Sequence, residues 1–406
     1  MIRIEIRRPA NAAKTTYTDN KLSKPFVRIT KPQNSLAKRL IPVTTDRVMR
    51  RALGGLLCAY LCLSACTTKS ASDSVHEGTT LSIDVGNVSD KRLQDITASI
   101  DTFYLETSDE HIIGSVDKVE KIGNKIYILD VYNAKSLFVY NGDTGRFMYN
   151  IGRYGNGPGE YRLPSDFAIH PISGNIFVLD DISNRLLQYD RSSGRFLSAS
   201  SGLNNYIGDF IFTKDGNAII YAYGNAHDGE YYLDVTDSEG QLIKELLPIP
   251  KHAKNMNIQP FAPLQSLPND TIVFLPPFSN RIYQIYNDTI IQQRYFLDFG
   301  DHWPAPSYTE NRDDVYTVSQ ELISYGYVIF VNYTETAELL HIYFTLMGKQ
   351  YSYFYNKQTK QSVLIDNDLS HISEQVKGAF GSSFVYASYE EDGTALILFE
   401  LDWEKI

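Results

Sequence analysis

The residues best suited to hold a ligand are concentrated in one glycine-rich segment, residues 152–161. The segment combines an arginine, an asparagine, a glutamate and two tyrosines with four glycines, and it ends in Gly-Pro-Gly-Glu-Tyr. Guanidinium, amide, carboxylate and phenol groups in one loop can hydrogen-bond to a polar ligand and stack against it. The candidate ligand-binding residues of this segment are Arg153, Tyr154, Asn156, Glu160 and Tyr161.

A second group of polar candidates follows two short apolar runs, residues 126–129 and 176–179. Each run ends at an aspartate, and the second aspartate is followed by another acid and then by an arginine. The candidates here are Asp130, Asp180, Asp181 and Arg185. An alternative stays open for both groups: the aspartates cap turns, and the glycines only allow a tight crossover between elements.

Several other chemistries lack their signatures in this chain. The glycine-rich segment is not a phosphate loop, because Glu160 replaces the third glycine and Pro164 with a strand follows instead of a helix. The eight histidines are scattered without an H-E-x-x-H or H-x-H spacing, and no G-x-S-x-G elbow occurs. We therefore expect no cofactor and no metal site, and we assign no catalytic residue.

The elements that position these candidates form a repeat. Residues 111–200 contain the same unit twice, with the aspartates Asp130 and Asp180 50 residues apart and the closing Gly-Arg-Phe turns 49 residues apart. Each unit contains four short apolar runs separated by turn residues, and the runs are too short for helices. A unit of four strands with this period is typical of one blade of a β-propeller.

Four further units follow less regularly, at about 206–250, 263–299 and 322–366 and from about residue 376. A segment with prolines and charges, 300–321, interrupts them and has room for a short helix. A lone strand at residues 99–105 precedes the first unit, and we expect it to close the last blade and so remove a free edge. The sequence thus predicts an all-β fold, a six-bladed β-propeller with its N-terminal strand closing the last blade. Strand alternation places both groups of candidates on one face.

The N-terminal region differs in composition from the repeats. Residues 1–48 hold 11 Lys/Arg and 3 Asp/Glu, after which Arg50 and Arg51 precede an apolar stretch that ends in Leu-Ser-Ala-Cys. This order predicts a lipoprotein signal peptide with lipidation of Cys66. The expected organisation is a basic extension or over-extended start at 1–48, a signal peptide at 49–66, a flexible tether at 67–80 and the propeller at 81–406.

The net charge of the chain indicates which classes of binding partner are disfavoured. The formal net charge is −10, and the part from Cys66 onward carries 25 Lys/Arg and 45 Asp/Glu, a net of −20. Such an acidic domain disfavours nucleic acid and anionic membrane surfaces as partners. It is compatible with cations and with neutral polar ligands such as glycans.

Several motifs resemble a known family. They are Phe-Tyr-Leu-Glu-Thr at 103–107, Ile-Tyr-Ile-Leu-Asp at 126–130 and the glycine-rich segment ending in Gly-Pro-Gly-Glu-Tyr at 157–161. On these residues the chain resembles the six-bladed β-propeller lipoproteins of Bacteroidales, relatives in fold of NHL-repeat and TolB-like propellers. The resemblance implies the propeller fold and an exported lipoprotein, and it implies no agreed activity.

Together these features favour an exported, lipid-anchored propeller of the cell envelope, at the periplasmic face or the outer-membrane surface. It would bind a glycan, another envelope component or a protein partner through one propeller face, without catalysis. The first alternative is a lyase or hydrolase acting in the central funnel, which needs catalytic side chains converging at the axis. The second is a pure protein-interaction scaffold with an exposed apolar patch.

Overall fold

The repeat folds into six sheets, one for each blade, and each sheet is built on four antiparallel strands. A computed structural model of the chain describes residues 78–406, except 110, 201–206, 223–229, 238, 257, 268–269, 287, 289, 313, 368–374 and 391–392. The basic extension, the signal peptide with Cys66 and most of the tether lie outside the described residues. Within the described ranges, no helix combines the length and apolar character needed to span a bilayer.

The strands follow the order of the predicted units. The N-terminal strands are β1 (Thr79–Ser82) and β2 (Thr97–Tyr104). Blades one to three contain β3 (Lys118–Ile122), β4 (Lys125–Asp130), β5 (Ser136–Asn141), β6 (Phe147–Ile151); β7 (Pro164–Ile169), β8 (Ile176–Asp180), β9 (Arg185–Tyr189), β10 (Phe196–Ala199); and β11 (Ile207–Phe212), β12 (Ala218–Ala222), β13 (Tyr231–Thr236), β14 (Leu242–Pro248). Blades four to six contain β15 (Leu264–Leu267), β16 (Thr271–Phe274), β17 (Arg281–Tyr286), β18 (Ile290–Asp298); β19 (Val328–Glu335), β20 (Leu339–Leu346), β21 (Lys349–Asn356), β22 (Ser362–Asp366); and β23 (Gly378–Phe380), β24 (Ser383–Glu390), β25 (Gly393–Leu401).

The continuous apolar runs of the sequence are explained by blade packing. In β4, Tyr127 and Leu129 belong to a core cluster shared with blade two. The intervening Ile126 and Ile128 belong to another cluster, shared with blade six. Because a blade has neighbours on both faces, its middle strands bury both sets of alternating side chains and do not alternate with polar residues.

The N-terminal strand closes the ring as predicted. Strand β2 pairs antiparallel with β25 along its whole length, from Thr97 beside Leu401 to Tyr104 beside Ala395. The last blade is therefore built from both ends of the propeller segment, so that neither β2 nor β25 leaves its hydrogen-bonding edge free on that side. Six blades with this closure confirm the predicted fold class.

Strand β1 is an element that the sequence analysis did not predict. It begins at Thr79, two residues before the expected start of the domain, and pairs parallel with β18, so that Leu81 lies beside Leu297. Blade four thus has five strands. Leu81 and Ile83 are buried in the core cluster between blades four and five, which explains why a strand this short is retained at the outer edge.

The segment between blades four and five contains two helices, α1 (Pro306–Thr309) and α2 (Val315–Ser324). Asp314 caps α2, because its Oδ1 accepts a hydrogen bond of 3.1 Å from the Thr317 N–H. Val318 and Leu322 lie on the buried side of α2 and pack with Ile329 at the start of blade five. Two short 3-10 turns, Leu93–Asp95 and Gly300–His302, complete the regular structure.

Candidate ligand-binding face

One end of the propeller carries both groups of candidates, as strand alternation predicts. This end, here called the loop face, is formed by the loops between the second and third strands of each blade and by the connections between blades. The two kinds of loop touch: Asp130, at the end of β4, accepts hydrogen bonds from the connection before β3. In the same blade, the Lys135 ammonium on the loop after β4 lies 4.9 Å from the centre of the Tyr154 ring in the connection to blade two.

Asp130 is buried, and its carboxylate holds two loops together. Its Oδ2 accepts hydrogen bonds from the Gly114 N–H at 2.7 Å and the Ser115 N–H at 2.9 Å. Its Oδ1 accepts from the Asn133 N–H at 2.9 Å and the Ala134 N–H at 3.0 Å, and from the Ser115 hydroxyl at 3.1 Å. Five donors use the acceptor capacity of one carboxylate, which matches the turn-capping alternative.

Asp180 repeats this arrangement one blade later. Its Oδ1 accepts from the Arg162 N–H at 3.1 Å and the Leu163 N–H at 2.9 Å, and its Oδ2 accepts from the Ser183 hydroxyl. Arg185 lies on the same loop and donates through Nε to the Ser183 hydroxyl at 3.2 Å. The neighbouring Asp181 is half-buried, and its backbone N–H donates to the Leu163 carbonyl at 3.0 Å.

The glycine-rich segment is locked by its own glutamate. Glu160 Oε2 accepts from the Gly157 N–H at 2.7 Å, and Oε1 accepts from Arg153 Nε at 2.7 Å. The Gly157 N–H and then the Arg153 guanidinium hold the pKa of Glu160 below its usual range. The glycines make room for this carboxylate, because a Cβ at Gly155 would lie 2.0 Å from Glu160 Oε2.

Tyr161 fixes the same segment to the core. Its ring is fully buried between blades one and two. The hydroxyl donates to the Ile151 carbonyl at 2.9 Å and accepts from the Leu137 N–H at 3.3 Å. Burial raises the pKa of Tyr161 to about 12. The side chain is therefore a structural anchor of the loop, and its ring does not reach the surface.

The locked segment leaves three of its candidates facing solvent. The Arg153 side chain is 79% exposed and Tyr154 is 58% exposed, while Asn156 is also exposed. Lys135 joins them through its contact with the Tyr154 ring, and the sequence analysis missed it. The loop face thus presents an aromatic ring, two cations and an amide on a backbone that internal hydrogen bonds hold in place.

A second polar cluster lies on the innermost strands, which pack side by side around the propeller axis. Lys118 on β3 donates to Asp166 Oδ1 at 2.7 Å and to the Phe167 carbonyl at 2.9 Å, and its Nζ lies 3.2 Å from Glu120. The Asp209 carboxyl group on β11 lies beside that of Asp166. We call Lys118, Glu120, Asp166 and Asp209 the axis cluster.

The axis cluster ties four consecutive blades together. Asp166 Oδ2 accepts from the Phe210 N–H at 3.2 Å, and Asp209 Oδ2 accepts from the Leu264 N–H at 2.9 Å, where β15 begins. Burial raises the pKa of Asp209, and the adjacent Asp166 carboxylate raises it further. Burial alone would lower the pKa of Lys118, but the carboxylates around it outweigh that effect and raise it.

The axis cluster was not among the predicted site residues, although the sequence carries a signal for it. Asp166 and Asp209 each precede a phenylalanine in an apolar inner strand, as Ser-Asp-Phe-Ala-Ile and Gly-Asp-Phe-Ile-Phe. A charged residue at the same place in two successive units points to an axial position. Among the described residues, no group of three His, Cys, Asp or Glu side chains is arranged to hold a metal ion.

The fold and the loop face define a six-bladed β-propeller with a polar surface at one end. The chain belongs to the family described as "Domain of unknown function (DUF4934)", whose model matches residues 79–400. None of the curated proteins matches this sequence. Family membership and fold confirm the propeller part of the expected resemblance, whereas lipidation and kinship to NHL and TolB-like propellers stay predictions.

Two solved Bacteroides structures share the fold. A Bacteroides fragilis protein described as exported is 20% identical, with a TM-score of 0.70 over 80% of this chain and 99% of its own. A DUF4221 family member from Bacteroides vulgatus is 9% identical, with a TM-score of 0.52 over 75% and 97%. Virginiamycin B lyase from Staphylococcus aureus is 12% identical, with a TM-score of 0.40 over 75% and 99%, which is too low to bear on function.

Proposed function

We propose that this protein is an exported, lipid-anchored propeller of the cell envelope that binds a polar ligand through its loop face, without catalysis. The ligand class is a glycan or another envelope component. One observation carries the proposal: Glu160 and Tyr161 lock the glycine-rich segment, and the locked segment presents Arg153, Tyr154 and Asn156 to solvent.

A locked loop favours binding because little conformational entropy is lost when the ligand arrives. The exposed Tyr154 ring offers an apolar face for a sugar ring, and the guanidinium, ammonium and amide groups around it offer hydrogen-bond donors. Two cations on an otherwise acidic chain also admit ligands with negatively charged groups.

Export and lipidation are supported by the order of basic flank, apolar stretch and Leu-Ser-Ala-Cys before residue 67, and by the fold relative from B. fragilis that is described as exported. Labelling with a radioactive fatty acid tests the anchor. We expect label on the parent protein and none on a Cys66→Ser variant. An unlabelled parent protein in the soluble fraction would contradict the proposed lipid anchor. It would not bear on the proposal that the loop face binds a ligand.

The axis cluster supports an enzyme as the second candidate, because a buried carboxyl group with a raised pKa, beside a second carboxyl group and a lysine, is suited to an acid role. However, Asp166 is 4% exposed and Asp209 is 5% exposed, and both accept hydrogen bonds from inner-strand backbone. A substrate in the funnel would meet Lys118 and Glu120 before either aspartate. The burial of the pair therefore favours a structural role.

The binding proposal is tested by thermal unfolding in the presence of oligosaccharides and envelope fragments. A ligand that binds only the folded state raises the melting temperature by mass action. We expect the double change Arg153→Ala and Tyr154→Ala to abolish the ligand-induced rise, while the ligand-free melting temperature stays close to the parent value because both side chains are exposed.

Arg195→Ala is the matched control, because Arg195 is an exposed arginine on a turn of blade two whose side chain has no hydrogen bond among the described residues. The control variant should keep the full ligand-induced rise. If the double variant also keeps it, the ligand does not bind at the locked segment and the proposal is wrong.

A further inference from the structure

A separate cleft opens at the loop face between blades three and four. It encloses a cavity of about 120 Å³, room for several water molecules and hence for a small ligand. Its walls come from the ends of β13 and β14, the connection after blade three, the loop between β16 and β17, and the segment after blade four. The lining residues are Tyr232, Leu247, Pro248, Pro250, His252, Ala253, Pro276, Phe278, Ser279, Asn280, Arg281, Tyr283 and Trp303.

Two phenol groups in this cleft lack partners. Tyr232 is only 6% exposed, and Tyr283 is half-buried. Neither hydroxyl makes a hydrogen bond within the described part of the chain. Burial raises the pKa of both tyrosines, and the nearby Tyr283 raises that of Tyr232 further. The two unpaired hydroxyls are therefore free to donate hydrogen bonds to a ligand in the cleft.

The charge of the lining has one sign. Its one charged group is the guanidinium of Arg281, because burial lowers the pKa of the His252 imidazole, and it contains no carboxylate although the chain as a whole is acidic. Arg281 rests on the Phe296 ring, 4.7 Å from its centre, and donates through one nitrogen to Gln293. Its other donors are available to a ligand carboxylate. Glu310 interacts with His252 but is not part of the lining.

The apolar wall is flat and rigid. The Trp303 ring stacks on Phe278, with centres 5.4 Å apart and planes 27° apart, and on Phe299 at 5.9 Å and 21°. Prolines 248, 250 and 276 complete the wall. A flat wall of aromatic and proline rings matches a ligand with a ring-shaped apolar face.

We infer that this cleft binds a small ring-shaped carboxylate, with Tyr232 and Tyr283 donating hydrogen bonds and Arg281 pairing with the carboxylate. Two sources share this chemistry, an acidic sugar and an aromatic acid. The site shares no residue with the locked segment at 152–161, so the inference does not depend on ligand binding at that segment.

Calorimetric titration of the purified protein with glucuronate, benzoate and glucose tests the inference. We expect saturable binding of glucuronate or of benzoate and much weaker binding of glucose, which lacks the carboxylate. Glucuronate alone would identify an acidic sugar, and benzoate alone an aromatic acid. No binding of either acid up to roughly 10 mM, or glucose binding as tightly as glucuronate, would overturn the inference.

Tyr232→Phe with Tyr283→Phe removes only the two hydroxyls and keeps the packing. We expect the affinity for the bound acid to fall roughly ten-fold or more for each lost hydrogen bond to a charged ligand. Tyr316→Phe with Tyr325→Phe, two exposed tyrosines of the helical segment, is the matched control and should leave the affinity unchanged. If both double variants bind the acid with equal affinity, the inference that the acid binds in this cleft is wrong.

The Arg153→Ala variant tests whether the acid binds in the cleft or at the locked segment. If the acid still binds this variant with parent affinity and fails to bind the Tyr232 and Tyr283 double variant, the cleft is the site. If Arg153→Ala abolishes binding, the acid occupies the locked segment and the inference about the cleft is wrong.

Discussion

Replacing Asp130 by asparagine tests whether this residue stabilises the fold or binds a ligand. The change keeps the shape of the side chain but turns one acceptor oxygen into an NH2 group. In the present structure each oxygen serves two backbone N–H donors, Gly114 and Ser115 on one side and Asn133 and Ala134 on the other. Whichever way the amide points, one pair of donors loses its acceptor.

The size of the effect follows from those two donors. The four donors are exposed or half-buried, so each lost hydrogen bond costs about 0.5–1.5 kcal/mol and Asp130→Asn should lower the free energy of unfolding by about 1–3 kcal/mol. Natural domains unfold at about 5–15 kcal/mol, so the loss is readily measurable. Asp180→Asn should cost a similar amount, because its Oδ1 serves the Arg162 and Leu163 N–H groups.

Urea unfolding followed by tryptophan fluorescence measures this loss, with unchanged m-values showing that the unfolding transition is otherwise the same. The ligand affinity of each variant is measured well below its unfolding midpoint. A variant that loses the ligand yet unfolds within about 0.5 kcal/mol of the parent would refute the capping role. Asp130 would then be a ligand-binding residue.

Three further predictions test the loop face and the buried charges. Gly155→Ala should weaken ligand binding at the locked segment in titrations, because the new Cβ would lie 2.0 Å from Glu160 Oε2 and displace that carboxylate from its partners. Burial lowers the pKa of His341 to about 3, so the folded protein keeps the imidazole neutral while the unfolded chain protonates near 6.5. Stability contributed by this group is present above pH 6.5 and lost as the pH falls toward 3, by about 2 kcal/mol at pH 5; His341→Asn should flatten that part of the unfolding profile. Lys118→Met should cost about 2–4 kcal/mol in urea unfolding, because it leaves the buried Asp166 without its cation, and Asp166→Asn in the same chain should recover part of the loss. Additive losses in this double-mutant cycle would contradict the pairing.

The parts of the fold that could be predicted from the sequence are those that recur as a local repeat. Apolar runs, turn glycines and the aspartates Asp130 and Asp180 recur with nearly constant spacing, and each blade folds mostly from its own segment. Strand β2 was predictable for the opposite reason, since it lacks a unit of its own. Strand β1 was not predicted, because four residues that pair with a strand distant in sequence leave no periodic signal.

The candidate sites were harder to predict because they join residues from different blades. Lys118, Asp166 and Asp209 meet only because three inner strands lie side by side around the axis. The cleft is similar: Tyr232 and Trp303 come from segments 71 residues apart, with no shared spacing. Ring closure, rather than any local pattern, brings these side chains together.

The motif Gly-Pro-Gly-Glu-Tyr also changes its meaning once its contacts are known. The glutamate binds the loop's own N–H and guanidinium groups, and the tyrosine is buried between two blades. The most recognisable residues of the segment are therefore occupied with holding it in shape. Specificity then belongs to positions 153, 154 and 156, whose side chains face solvent and do not enter the core. Exchanging those three residues should alter the ligand while the blade that carries them stays folded.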